Sequence, residues 1–138
     1  MLKDYVGKYY FDQNYNCAES VLRAANDYYQ LGLHDRDMII QAGFGAGIQS
    51  GMTCGAFLSA VSVLSFKYVE QKAHESEHVS PVVNRLIAQF LQRMESLQCA
   101  EIKPRVFVEG KRCLATVEAA CDAIEAVLAD YGAEKACR

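Results

Sequence analysis

Apolar residues recur along most of the chain at the three- and four-residue intervals of an amphipathic helix. Residues 80–98 show the repeat on one face, at Val83, Leu86, Ile87, Phe90, Leu91, Met94 and Leu97. The two-residue alternation that is typical of a half-buried strand is almost absent. The pattern therefore predicts an all-α fold, a single-domain bundle of about five helices.

Start and stop signals set the bounds of these helices. Asn16 and Glu19 match the N-x-x-E pattern of a capping box, which starts a helix that ends near Gly32. Ser80 and Pro81 are typical of an N-cap followed by the first helical residue. The predicted helices cover residues 2–11, 16–29, 35–42, 53–71, 80–98 and 111–131, and Gly132 stops the last one.

A glycine-rich loop is predicted before the central helix, which spans residues 53–71. The glycines are Gly43, Gly45, Gly47, Gly51 and Gly55. Glycine permits positive φ and close approach of one backbone to another. Thr53 is the predicted N-cap, so Cys54 takes the first helical position. The spacing matches neither phosphate-binding pattern, G-x-x-x-x-G-K-[ST] or G-x-G-x-x-G, which argues against a nucleotide loop.

Two further segments are predicted to be loops. Residues 72–79 are polar and hold His74 and His78, whose four-residue spacing would suit a metal only if the segment were helical. An exposed loop is the preferred interpretation there. Residues 99–110 contain Pro104 and a short β-favouring run, and they are predicted to link the last two helices.

Composition limits the class of protein. The chain has 138 residues, of which 51% are hydrophobic, and this suits one domain over residues 1–138. A net charge of −3 gives no basic field for a nucleic acid. The N-terminal residues are too polar for a signal peptide, and the most apolar helix carries Ser59, Ser62 and Ser65. We expect a soluble, cytoplasmic protein without membrane insertion.

The candidate chemistry lies in the cysteines, of which there are six. Cys17, Cys54 and Cys113 each fall at a predicted helix start, while Cys99 follows a helix end. The positive end of a helix dipole stabilises a thiolate, so Cys54 is predicted to be a reactive nucleophile or a metal ligand. The four helix termini are predicted to converge on one site. No C-x-x-C pair is present, which argues against a zinc ribbon and a thioredoxin-type pair, and without C-x-x-C-H there is no c-type haem attachment.

The remaining two cysteines are set apart from this group. Cys121 follows Cys113 by two helical turns, about 12 Å along the same helix, so the two sulfurs cannot share a site. Cys121 is predicted to be a buried structural residue. Cys137 lies in the terminal tail.

The order Cys17, Cys54-Gly55-Ala56, Cys99, Cys113 resembles the family of small helical proteins named for its C-GCAxxG-C-C pattern. Thr53 stands where the family pattern has glycine, and Ser59 replaces the glycine that closes the motif. The family is similar to a domain of split-Soret cytochromes c, in which haem and an iron–sulfur centre occur. The resemblance implies a redox role and a helical fold, and without the attachment motif it does not imply haem.

Three hypotheses for function follow. In the first, a thiol-dependent oxidoreductase, the Cys54 thiolate attacks a disulfide and Cys17, Cys99 or Cys113 resolves it, with a redox partner that the sequence does not identify. In the second, the same four cysteines ligate an iron–sulfur cluster or a zinc ion. In the third, the protein is a noncatalytic module that acts as a homo-oligomer or by binding a partner.

Overall fold

The computed structural model describes residues 1–134. Within this range the chain is mostly helical and contains no strand, as the apolar repeat predicts. The described range holds six α-helices, joined by short 3-10 and π turns, in place of about five. No helix in this range has both the length and the apolar character needed to cross a membrane. Cys137 lies outside the described residues.

The α-helices are α1 (Cys17–Tyr29), α2 (Asp35–Met38), α3 (Gly55–Tyr68), α4 (Val79–Met94), α5 (Cys99–Val106) and α6 (Leu114–Glu134). The predicted helix over residues 2–11 is instead a 3-10 turn, Leu2–Tyr5, followed by a π turn, Lys8–Asp12. The predicted helix over residues 35–42 is α2, extended by the 3-10 turn Ile39–Phe44.

Helix α3 lies at the centre and packs against α1, α4 and α6. It is apolar or small on nearly every side, and a helix of this kind is stable only when its neighbours cover it. Ala56, Ser59 and Ala60 are buried and allow the neighbouring helices to approach closely. Phe57 meets the fully buried Phe90 of α4, with ring centroids 5.4 Å apart.

The start of α1 agrees with the predicted capping box. The Asn16 side chain accepts a hydrogen bond from the Glu19 N–H at 3.0 Å, and the Glu19 carboxylate accepts one from the Asn16 N–H at 3.1 Å. Cys17 is therefore the first helical residue, as predicted. The helix ends at Tyr29, where Gln30 takes a left-handed conformation.

The start of α3 differs from the prediction. Cys54 is the N-cap and Gly55 the first helical residue, so Thr53 caps nothing. The reason is a tertiary contact: the Cys54 N–H donates to the Leu97 carbonyl, and the Cys99 N–H donates to the Met52 carbonyl, both at 2.7 Å. This pairing holds residues 52–54 extended, so the helix begins one residue later than its sequence signals indicate.

The region from residue 79 to residue 110 also corrects the prediction. The helix predicted to run to residue 98 ends at Met94, because Glu95 turns left-handed with φ 64°. It begins at Val79, so Pro81 is its third residue, where an N–H has no helical partner to lose. The predicted loop over residues 99–110 begins with α5, which ends two residues after Pro104.

The last helix is shifted towards the C-terminus. It begins at Leu114 in place of residue 111, because a tight turn pairs Val108 with Arg112 and leaves Arg112 left-handed, with φ 51°. Gly132 does not stop it, since the helix continues to Glu134. Cys113 is therefore the residue immediately before α6.

Candidate functional site

One cavity brings the four candidate cysteines together. Its volume is about 220 Å³, and Cys17, Cys54, Cys99 and Cys113 all line it. We call it the four-cysteine cavity. The five cysteines within the described range, these four and Cys121, are free thiols.

Each of the four cysteines stands at the start of a different helix. Cys17 begins α1 and Cys99 begins α5, while Cys54 immediately precedes α3 and Cys113 immediately precedes α6. The structure therefore brings these helix termini together at one cavity, as predicted. The helix start at Cys99 was missed, because the residues after it were interpreted as a loop.

Two glycines make room for this convergence. A Cβ on Gly55 would lie 2.4 Å from the Phe44 carbonyl oxygen and 3.0 Å from the Cys17 sulfur. A Cβ on Gly47, where φ is +61°, would lie 2.6 Å from the Cβ of Cys99. The shortest distance at each position is below any normal contact, so only glycine fits at either one.

A left-handed turn of four consecutive residues borders the cavity. Ala46, Gly47, Ile48 and Gln49 have φ values of 52°, 61°, 57° and 59°. For residues other than glycine this conformation costs about 1–2 kcal/mol each. The turn places the Ala46 N–H close enough to the Cys17 sulfur to lower the pKa of that thiol, against the larger effect of burial. Backbone strain of this kind is concentrated at functional sites.

The Cys54 thiol does not have the lowered pKa that its sequence position predicts. Burial raises its pKa from 9.0 to about 12, although the nearby N–H groups of Phe57 and Ala56 oppose the rise. Only 5% of the residue is exposed. Desolvation outweighs the helix terminus, so in the metal-free protein Cys54 lacks the lowered pKa from which its reactivity was predicted.

Burial also raises the pKa values of Cys17 and Cys113. At Cys17 the N–H groups of Ala46 and Ala18 oppose the rise. At Cys113 the nearby Cys17 and Cys99 add to it, while Lys103 and Arg112 oppose it. Cys99 is close enough to act on the charge of each of the other three cavity thiols.

Tyr10, Lys103 and Arg112 also line the cavity, and sequence reasoning missed all three. The Arg112 guanidinium lies 4.1 Å from the centroid of the Tyr10 ring and donates to the Tyr10 carbonyl. The Tyr10 hydroxyl accepts a hydrogen bond from the Cys113 N–H at 3.0 Å. Lys103 lies four residues after Cys99. This spacing places the two side chains on the same face only in a helix, and α5 was not predicted.

Cys121 and the two histidines lie apart from the cavity. Cys121 is fully buried in α6, in agreement with its predicted structural role. His74 lies in a 3-10 turn, Ala73–Glu75, and His78 precedes α4, where its Nδ1 is 2.8 Å from the Tyr131 hydroxyl. Among residues 1–134, no three or more His, Cys, Asp or Glu side chains are arranged to hold a metal ion.

Comparison with known proteins gives one match. No curated protein and no solved structure matches the chain. A family model described as "Putative redox-active protein (C_GCAxxG_C_C)" matches residues 15–127, a range that includes all four cavity cysteines. The chain therefore belongs to the C_GCAxxG_C_C family, whose description is that of redox-active proteins.

Proposed function

We propose that the protein transfers electrons through its cysteine thiols, by thiol–disulfide exchange in the four-cysteine cavity. The observation that carries the proposal is that four free thiols, each from a different helix start, line one cavity. Four thiols scattered through an ordinary core would serve only packing. The redox description of the family supports the same conclusion.

Cys99 is the thiol that we assign to the first attack. It is half-buried and lines both the four-cysteine cavity and an open cleft beside it. A disulfide that enters through the open cleft therefore meets Cys99 first, because Cys17, Cys54 and Cys113 do not line that cleft. Cys54, the sequence-based candidate, is unsuitable because it is buried and its pKa is raised to about 12.

Cys17 is the thiol that we assign to the second step, because it lines the same cavity as Cys99, lies close enough for Cys99 to act on its charge and, unlike the first thiol, needs no access from solvent. The Cys99 thiolate attacks one sulfur of the substrate disulfide, forms a mixed disulfide and releases the first substrate thiol. The Cys17 thiolate then attacks the Cys99 sulfur, forms a Cys17–Cys99 disulfide and releases the second thiol. Two electrons pass from the protein to the substrate, and the released thiolates take up the two protons that the cysteines lost.

Single cysteine variants test this assignment in the full chain. Cys17→Ser should stop at the mixed disulfide, which mass spectrometry detects as an added substrate thiol on Cys99. Cys99→Ser should lose the reaction with small disulfides. Cys121→Ser, outside the cavity, is the matched control and should behave as the wild-type protein. Equal oxidation of all three variants would contradict the proposal.

A second candidate function is the binding of an iron–sulfur cluster, and specific observations favour it. Cys17, Cys54, Cys99 and Cys113 would supply four thiolates, the ligand set that clusters use. Backbone N–H groups near the sulfurs of Cys17 and Cys54 lower the pKa of each thiol, and N–H groups so placed would stabilise thiolate ligands. The four thiols line one cavity of about 220 Å³, so a cluster that they bind would occupy the space between them.

Cys54 separates the two candidates. A cluster would supply one-electron transfer and would need Cys54 as a ligand, whereas exchange between Cys99 and Cys17 would not need it. Anaerobic reconstitution with iron and sulfide, followed by optical spectra and iron analysis, tests the cluster. Loss of bound iron in Cys54→Ser, with normal disulfide exchange in the apo-protein, would support both cluster binding and thiol–disulfide exchange. Disulfide exchange in a wild-type protein that takes up no iron would support thiol–disulfide exchange alone.

A further inference from the structure

A second, more open cavity adjoins the four-cysteine cavity. We call it the side cleft. Its volume is about 640 Å³, within the range of small-molecule sites. Cys99, Lys103, Phe107 and Ala46 line both cavities, so the two share a wall. A molecule that occupies the side cleft therefore lies against the Cys99 side chain.

The charged side chains that line the two cavities are all positive. Lys103 lines both cavities and Arg112 lines the inner one, while no Asp or Glu lines either. Arg112 is held by Tyr10, but Lys103 forms no ion pair within the described residues, and its amine lies over the Phe107 ring, 5.4 Å from the centroid. Arg105, also on α5, is already paired with Glu95 at 3.0 Å. Lys103 is thus the cation available to a ligand.

The remaining lining of the side cleft suits a peptide-like molecule. It combines apolar surface from Pro104 and Ala100 with the polar groups of Gln49 and Ser50 and the backbone at Gly51. Gln49 is fixed by a hydrogen bond from its Nε2 to the Gly45 carbonyl at 2.9 Å. The left-handed turn therefore forms one wall and α5 forms the other.

We propose that the side cleft binds a low-molecular-weight disulfide that carries carboxylates, with a carboxylate on Lys103 and a sulfur against Cys99. This proposal rests on the proposed thiol–disulfide function and names its substrate class. The disulfide is the oxidant: its S–S bond breaks when the Cys99 thiolate attacks, one half leaves as a carboxylate-bearing thiol, and the other half stays as the mixed disulfide until Cys17 releases it.

Three disulfides of different charge test the proposal on the reduced full chain. The probes are oxidised glutathione, which carries carboxylates, bis(2-hydroxyethyl) disulfide, which is neutral, and cystamine, which is cationic. The rate at which the Cys99 thiol is lost is measured by mass spectrometry after quenching, and it is divided by the rate of a free thiol with the same probe. We expect oxidised glutathione to be about tenfold favoured over cystamine, with the preference falling as salt screens the charge.

Substitutions at Lys103 test whether this residue causes the preference for oxidised glutathione over cystamine. The side chain is exposed, so Lys103→Met leaves the core intact and should abolish the preference, whereas Lys103→Arg should retain it. Lys111→Met is the matched control, because Lys111 is an exposed lysine close to Cys113 that lines neither cavity. It should leave the preference unchanged.

Three results would overturn the proposal, and they differ in whether they also disprove the proposed thiol–disulfide function. Equal normalised rates for the three probes, unaffected by Lys103→Met, would disprove the carboxylate-bearing ligand and leave thiol exchange intact. A protein that reacts only with a disulfide-bonded protein would likewise disprove the small ligand, and it would indicate a macromolecular substrate. Failure of every disulfide to oxidise the cysteines would disprove the proposed function as well.

Discussion

Gly55 lies against Cys17, so closely that a Cβ at this position would meet the Cys17 sulfur at 3.0 Å. The same Cβ would meet the Phe44 carbonyl oxygen at 2.4 Å. The first residue of α3 and the first residue of α1 are thus fitted to each other. The start of α3 can lie this close to the start of α1 because Gly55 has no side chain.

Gly55→Ala should destabilise the protein, because the new methyl group forces backbone atoms of Phe44 to move. We expect a loss of about 1–3 kcal/mol in the free energy of unfolding, as is usual for overpacking. Urea denaturation measures it. Gly43→Ala is the control: its Cβ would meet nothing within 4 Å and its φ is not positive, so its stability should change little. Equal effects at both positions would refute the contact.

The alkylation order of the thiols should follow burial. In the reduced, metal-free protein at neutral pH, brief iodoacetamide treatment should label Cys99 and Cys113 before Cys54, because the raised pKa of Cys54 leaves little thiolate and its burial blocks access. Peptide mass spectrometry gives the order. In urea the differences should vanish, and a Cys54 that is labelled first in the folded protein would contradict its burial.

Alkaline pH should weaken the fold through Cys54 and Cys121. Burial raises the pKa of each from 9.0 to about 12, so above about pH 9 the unfolded chain releases these protons while the folded chain retains them. Their stabilising contribution is complete below the unfolded pKa and is lost as pH rises towards 12. Each thiol should lower the free energy of unfolding by at most about 1 kcal/mol per pH unit in this window.

Urea titrations at several pH values between about 8 and 10.5 measure this slope. The slope should be smaller in Cys121→Ala, which lacks one of the two thiols. Identical slopes in the variant and the wild type would show that Cys121 ionises normally in the folded protein.

Cys121→Ala should leave redox behaviour unchanged and cost about 1 kcal/mol of stability, the usual effect of a small apolar truncation in a core. The residue is fully buried and lines neither cavity described above. Thiol counts before and after oxidation, together with urea denaturation, test both parts. Impaired oxidation in this variant would place Cys121 among the functional thiols.

Local signals predicted those parts of the fold that depend on neighbouring residues. The capping box of Asn16 and Glu19 is complete within four residues, and it correctly fixed Cys17 at a helix start. The apolar repeat was enough for the all-α class. The redox partner, the homo-oligomer and the cytoplasmic location stay predictions.

Contacts between distant segments explain what the sequence did not reveal. Cys54 is the N-cap of α3 and not its first residue, because its N–H donates to the carbonyl of Leu97. No sequence pattern near Cys54 predicts a hydrogen bond to so distant a residue. Its pKa follows from burial by several helices, which outweighs the dipole of its own helix. Pro104 suggested a loop, yet α5 tolerates it near its end, and with α5 unrecognised the position of Lys103 beside Cys99 was hidden.

The paired backbone of residues 52–54 and 97–99 has a consequence for the newly made chain. It closes a long loop that contains α3 and α4, and closing such a loop costs entropy that only the packed helices repay. Contacts between residues this far apart in sequence slow folding. Cys17 and Cys54 leave the ribosome long before Cys113, so a nascent chain carries separate, unprotected thiols. They become one site only after α6 has been synthesised and docked.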